Sequence, residues 1–269
     1  MNNHKETIKE EFTKQAHYFE TVGLTLSNQK YLEWIVKSLP LKKSFHVLDV
    51  AAGTALLSRA ISKFTKEVTA IDTTFGMLDV AKKEIGKSNI SNITLKEGLA
   101  ESLPFKDSFF DMVVSRFAIH HFESPQICID EMSRVCKKGH VVGIIDLLSP
   151  DDTILAERYN HYEILRDPSH IIAATKSELR EMMVKNDLSV CFENAREIEV
   201  DLQKWMDMTE TDIETQELII ENIQQELSGG EQTGLRPFII DGRIRFMQTW
   251  AIIIGEKTLS EDATSNEAI

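Results

Sequence analysis

The sequence predicts an α/β fold whose mainly parallel sheet carries helices on both faces. Three observations lead there. From His46 onward, short apolar runs alternate with segments of helical periodicity, the rhythm that strand-helix-strand units produce. The first run opens into a turn of small residues, and the second ends, about twenty residues later, on a carboxylate, Asp72. At 269 residues the chain is long enough for one large domain with an inserted or appended cap, and short for two independent enzymatic domains.

Two helices are expected ahead of the sheet. Over roughly 4–20, Ile8, Phe12, Ala16 and Phe19 fall on one helical face. Over about 27–38, Ser27 is the expected N-cap, Leu32, Ile35 and Leu39 form the apolar face, and Pro40 closes the helix. Then His46–Val50 reads as a strand, Leu56–Phe64 as a helix, Val68–Asp72 as a strand and Met77–Ile85 as a helix. Ile93–Lys96, Met112–Ser115 and Val141–Asp146 continue as strands, separated by a loop with a short turn and then by a helix around Pro125–Cys136. Ser177 and Glu178 are expected to open a helix over Leu179–Lys185, followed by a strand near Leu188–Phe192. The segment 201–234 holds nine acids against the single base Lys204, which reads as one or two surface helices ending at Gly229-Gly230. Phe246–Gly255 is a long apolar strand, and 256–269 a polar tail of disordered composition.

Composition narrows the function. No apolar run approaches the roughly 20 residues that span a bilayer, and the acid-rich start lacks a secretory signal, so cytoplasm is the expected location. Cys128, Cys136 and Cys191 are scattered, with no paired spacing, and read as small hydrophobes. A net charge of −13 with no basic run would repel a phosphate backbone, which argues against nucleic acid. His140, His161 and His170 show no ligand spacing on a single element, so no metal is expected. The expected partner is a small-molecule substrate; nothing in the pattern speaks to oligomeric state.

The run Val47-Leu48-Asp49-Val50-Ala51-Ala52-Gly53-Thr54-Ala55 lets a ligand lie against backbone at the carboxyl end of a strand. A tight strand-to-helix turn without a ligand would use the same small residues. Asp72 adds a second clue, because a carboxylate there can accept hydrogen bonds from both hydroxyls of a ribose. Together they imply a nucleoside-bearing cofactor. A dinucleotide is disfavoured, since the outer positions of its glycine turn are here Ala51 and Ala55.

With these residues go Ala70-Ile71-Asp72 followed by Gly76-Met77-Leu78, then Gly98-Leu99-Ala100-Glu101-Ser102-Leu103-Pro104-Phe105, and Phe110-Asp111-Met112-Val113-Val114-Ser115-Arg116 with His120-His121-Phe122. In order and spacing the chain resembles, from about 10 to 255, class I S-adenosylmethionine-dependent methyltransferases of the small-molecule type, similar to those of ubiquinone and menaquinone biosynthesis. The resemblance implies a Rossmann-like, seven-stranded sheet of order 3-2-1-4-5-7-6 with Phe246–Gly255 antiparallel between the fifth and sixth strands. It implies a helical lid over 1–40, a methyltransferase domain over 41–255 with its helical insertion at about 201–234, and S-adenosylmethionine as cofactor. It assigns Asp49, Ala51 and Gly53 to the methionine end, Asp72 to the ribose, Met77, Leu99 and Ala100 to the adenine, and Phe19, Thr73, Glu101 and Ser115 to the remaining wall. Two departures stand out. Relatives commonly carry Asp where Leu99 stands, so the adenine amino group must use a backbone carbonyl, Glu101 or water; and relatives usually carry glycine at Ala55, so this turn is expected to take a conformation compatible with a Cβ.

Methyl transfer needs alignment, desolvation and, for a protonated nucleophile, a base. Arg116, His120 and His121 sit beside the expected end of the fourth strand. A histidine could deprotonate an acceptor, although paired histidines also cap and pack; Arg116 would bind an anion or orient the wall. Arg166-Asp167-Pro168-Ser169-His170 follows the fifth strand, where substrate loops occur, and reads equally as a charge-paired turn. Tyr159, Tyr162 and Trp205 line a substrate cavity or form the cap's own small core. The alternative to an enzyme is a non-methylating or regulatory S-adenosylmethionine-binding protein of the same fold.

Overall fold

The structure, a computed structural model, describes residues 4–20 and 25–258. Ahead of the sheet lie α1 (His4–Gln15) and α2 (Gln29–Ser38). The single helix expected over 4–20 stops at Gln15 and is followed by a 3-10 turn at Tyr18–Glu20. α2 begins one residue later than its expected cap, because the Asn28 side chain, on an extended backbone, accepts from the Lys30 N–H at 2.9 Å.

The sheet contains β1 (His46–Val50), β2 (Glu67–Asp72), β3 (Ile93–Glu97), β4 (Phe110–Arg116), β5 (Cys136–Leu148), β6 (Leu188–Asp201), β7 (Phe238–Ile240) and β8 (Arg243–Lys257). Its order is β3-β2-β1-β4-β5-β8-β6. The first five are parallel, and β8 runs antiparallel between β5 and β6, as the resemblance implied. β7 is an addition, hairpinned onto β8 through Asp241-Gly242, whose φ values of 51° and 71° suit a type I′ turn. β8 is longer than expected: Glu256 pairs with Val141 and Ser189, so the tail starts later than 256, and 259–269 lie outside the described residues.

Alternation along the strands divides the core. Val47, Met112, Ile145 and Ile252 point to the face covered by α2 and α3 (Leu56–Ser62), while Leu48, Val113, Ile144 and Ile253 point to the face covered by α5 (Pro125–Val135) and α7 (Lys176–Val184). α7 is capped by Thr175, not by Ser177: the Thr175 hydroxyl accepts from the Glu178 N–H while Glu178 reaches back to the Thr175 N–H. α4 (Phe75–Lys87) links β2 to β3. The acidic segment forms two helices, α8 (Leu202–Asp207) and α9 (Ile213–Leu227), ending near Gly229 in the left-handed region.

One long helix was not expected. α6 (Thr153–Arg166) is capped by Asp152, but its buried face is Tyr159, Asn160, Glu163 and Arg166, so it lacks the apolar stripe by which helices are read. Among the described residues, no helix is long and apolar enough to cross a membrane.

Candidate functional site

The loop after β1 coils tightly because Ala51, Gly53 and Ala55 alternate into the left-handed region, with φ of 53°, 56° and 58°. Ala55 therefore keeps a glycine-like conformation instead of avoiding it. Its cost, about 1–2 kcal/mol, is offset by packing of the buried methyl against Ala70 and Ala81. Asp72, ending β2, braces this loop: Oδ2 accepts from the Gly53 N–H and Oδ1 from the Thr74 N–H, both at 2.8 Å. Burial raises its carboxyl above the ordinary range, against the lowering pull of those amides.

A cavity of about 1070 Å³ opens at these carboxyl ends, where open α/β sheets bind ligands. Phe19, Ala51, Gly53, Asp72, Thr73, Met77, Leu99, Ala100, Glu101, Arg116 and His121, all singled out in the sequence, line it. Asp49 and Ser115 do not reach it. The Ser115 hydroxyl donates to the Val50 carbonyl at 3.0 Å, and Asp49 accepts from the Ser58 hydroxyl at 2.6 Å, which turns both into the layer behind the wall. Burial lifts the Asp49 carboxyl to about 6, and its Oδ1 has no hydrogen-bond partner in the protein.

α1 closes one side, through Lys5, Ile8 and Phe12 on the wall, residues whose roles sequence spacing alone did not separate from ordinary packing. His4 Nε2 donates to the His121 carbonyl at 2.9 Å, and the Phe12 ring meets the His121 ring edge-on at 4.9 Å. Gly76 lets α1 approach the start of α4, since a Cβ there would stand 3.1 Å from Thr13 Cγ2 and 3.3 Å from its Cα.

Phe12, Phe19, Phe117 and His121 also line a second cavity of about 680 Å³, which His120, Arg166, Trp205 and Trp250 help enclose. Phe117 holds φ at +53°, an uncommon conformation for an aromatic residue, and packs between the Arg116 guanidinium and the Trp250 ring. Arg116 donates to the Leu26 carbonyl at 2.5 Å; burial lowers its basicity to about 10, opposed by Asp49 and Asp146. It lines the larger cavity, and the Phe117 ring it covers lines both.

The two histidines occupy a 3-10 turn, Ile119–His121. His120 Nδ1 donates to Asp146 Oδ1 at 2.5 Å. Burial alone would lower this imidazole, but Asp146, with Glu163 and Asp167, raises it above its usual value. His121 Nδ1 donates to the Ser169 carbonyl at 2.9 Å and to the Ser169 hydroxyl at 3.2 Å, and that hydroxyl donates in turn to Asp167 Oδ1 at 2.5 Å. A carbonyl can only accept, so Nδ1 carries the His121 proton and Nε2 keeps its lone pair. Burial and then the neighbouring His120 push His121 down to about 3. The Arg166–His170 run is thus both loop and site: it holds one histidine, and His170 stacks 5.2 Å from the other. The chain marks that run but not Asp146, which stands in no motif and which only pairing of β4 with β5 brings beside His120. Tyr159 is core, 1% exposed, whereas Trp205 is both core and wall. Among the described residues no cluster of three metal-ligating side chains occurs.

A family model described as a methyltransferase domain matches residues 48–143. The uncharacterized methyltransferase YcgJ of Bacillus subtilis is 31% identical over 194 residues, 72% of this chain and 73% of that protein. A demethylmenaquinone methyltransferase of Staphylococcus aureus is 29% identical over 164 residues, 59% of this chain and 67% of its own. The crystal structure of YcgJ and that of a putative methyltransferase from Bacillus halodurans each superpose with a TM-score of 0.79 at 26% identity, covering 86% of this chain and 100% of theirs.

Proposed function

The chain belongs to the S-adenosylmethionine-dependent methyltransferases, and from that premise we propose that it moves a methyl group to an O, N or C atom of a small molecule, with the cofactor in the larger cavity and the acceptor in the second. The residues fit the cofactor. Beyond Gly53 only Met77 Sδ, 3.9 Å from an added Cβ, limits the space, which leaves a cradle for an adenosyl group. The unpartnered Asp49 Oδ1 supplies negative charge behind the loop, suited to a cationic amino acid end. Asp72 would hold the ribose hydroxyls with the lone pairs its two backbone amides leave over, and Met77, Leu99 and Ala100 would enclose the adenine. When bound, S-adenosylmethionine supplies an electrophilic methyl on a sulfonium sulfur.

The observation that carries the reading is His121. Its ring lies on the wall common to both cavities, with Nδ1 committed to Ser169 and Nε2 bare, so it is set to take a proton from an acceptor hydroxyl or amine. Ser169 and Asp167 position it. Phe12 and Phe19 exclude water from the same wall. Because burial and the neighbouring His120 lower its basicity, the imidazole stays neutral between pH 5 and 8, and His121 should contribute no acidic limb to kcat in that window. The test begins with calorimetric titration of S-adenosylhomocysteine, followed by incubation with methyl-labelled S-adenosylmethionine and a metabolite extract. A labelled product is expected, and His121→Ala should lower kcat by about 10²–10⁴ while leaving cofactor affinity nearly unchanged. Binding without any labelled product would favour a regulatory role; full turnover by His121→Ala would remove the base.

A further inference from the structure

The second cavity concentrates polar atoms that the protein itself does not satisfy. Gln15 is 0% exposed, yet neither its Oε1 nor its Nε2 has a partner; Trp205 Nε1 and Arg166 Nη2 are likewise unpaired, at residues 6% and 8% exposed. All three residues line this cavity, and they arrive from three separate helices, α1, α8 and α6. Buried polar atoms in native proteins are nearly always paired, and an unmade hydrogen bond is expensive. Four such atoms on three residues that line one cavity point to a ligand as their missing partner and not to a packing fault.

The chemistry of the set is specific. Trp205 Nε1 and Arg166 Nη2 can only donate, and the Gln15 amide adds a donor. Arg166 is held so that this one corner of its fork remains: Nε donates to the Trp205 carbonyl at 3.0 Å, while Nη1 stands 3.5 Å from Glu163 Oε2 and 4.0 Å from Asp167 Oδ2. Its face also lies over the Trp205 ring, at 5.1 Å. Lys204 adds positive charge to the same wall. The acid there, Asp167, has Oδ1 occupied by Ser169, and its Oδ2, like Glu163 Oε2, pairs with the Nη1 corner of Arg166, which leaves Nη2 as the unpaired corner. The same cavity is also lined by His121 and by the apolar residues Phe117, Leu147, Val200 and Trp250. A planar oxygen acceptor, an apolar body and a nucleophile on one molecule match the chemistry of these groups.

Building on the methyltransferase reading, we propose that the acceptor carries a carboxylate, received by Arg166, Trp205 and Gln15, and presents its hydroxyl or amine to His121 across an apolar or aromatic body. Gln15 and Arg166 are specificity residues in this scheme, and Trp205 contributes both a donor and a ring.

The test uses the full chain saturated with S-adenosylhomocysteine and two matched probe pairs, 4-hydroxybenzoate with 4-hydroxybenzamide and 4-hydroxyphenylacetate with its amide, followed by ligand-observed NMR. At least one acid should bind about tenfold or more tightly than its amide. Gln15→Met should weaken that acid about tenfold, yet leave the melting temperature of the free protein unchanged or higher, because it removes two unpaired buried atoms. A residue with a merely structural role would show the opposite pairing of effects. Arg166→Lys, which keeps the charge but not the fork, should weaken the acid and not the amide. Acids that bind no better than amides, or no acid binding at all, would overturn the carboxylate assignment, as would a Gln15→Met protein with wild-type affinity for the acid. Failure to bind S-adenosylhomocysteine in the first step would instead sink the cofactor reading, so the two failures are distinguishable.

Discussion

Asp49 offers a quantitative test because its burial, its missing partner and its place behind the loop all bear on one measurement. The residue is 1% exposed, and burial lifts its carboxyl from 3.8 to about 6 against the opposing effects of Ser58 and Arg116. A raised folded-state value means that the group stabilises the fold fully below pH 3.8 and that this contribution is lost as pH rises through 6. Since each tenfold change in proton affinity is worth about 1.36 kcal/mol, the ionised carboxylate destabilises the folded chain by about 3 kcal/mol at pH 8 and by about half that at pH 5. Asparagine at this position does not titrate. Its Nδ2 would take the place of the unpartnered oxygen at a constant cost of about 1–2 kcal/mol. Asp49→Asn is therefore expected to be more stable than the wild type by about 1–2 kcal/mol at pH 8, and close to it at pH 5. The difference between the two pH values, about 1.5 kcal/mol, is independent of that constant. Urea denaturation of both proteins at pH 5 and 8 measures it, and the buried histidines cancel because they titrate in both. An equal stability difference at the two pH values would refute the account of Asp49 as a carboxylate lifted by burial. The variant should also bind S-adenosylhomocysteine about tenfold more weakly, since the negative charge behind the loop is gone.

Asp72→Ala should weaken S-adenosylhomocysteine by about 2–4 kcal/mol in calorimetry, and it should also lower the melting temperature, since the Gly53 and Thr74 amides lose their acceptor. Unchanged affinity would mean that the ribose is held elsewhere. If α1 acts as a lid, amide exchange over residues 8–20 should slow by about tenfold or more when S-adenosylhomocysteine binds; high protection in the free protein that does not change would make it a permanently docked helix. Gly76→Ala should loosen α1, because the added methyl meets Thr13 at 3.1–3.3 Å, and so weaken ligand binding while α4 stays intact.

Much of this protein was legible one segment at a time. β1, β2 and β4 are buried on both faces and read as near-continuous apolar runs, and the small-residue loop and Asp72 stand out because both are set by local backbone chemistry. Eleven of the site residues named from the sequence, most of them through the family resemblance, line the larger cavity. Other features were local but ambiguous. Asn28 and Ser27 are both good caps, and Thr175 competes with Ser177; only the realised φ and ψ decide which side chain meets a free N–H.

The order of elements, the small-residue turn after β1 and the acid that ends β2 can be read from the chain alone, since each depends on neighbours within a few residues. The polar contacts around the second cavity come from tertiary structure. α6 hid from the sequence because its buried face is polar, and a polar face is buried only when partners from elsewhere satisfy it: Glu163 by Gln248, 85 residues away, and Arg166 by the Trp205 carbonyl, 39 residues away. His121 has its Nδ1 proton fixed by Ser169, 48 residues on, and His120 is raised by Asp146, 26 residues on. Such pairings depend on strand register and helix docking, which bring distant residues together at hydrogen-bond range and leave no periodic trace in the chain.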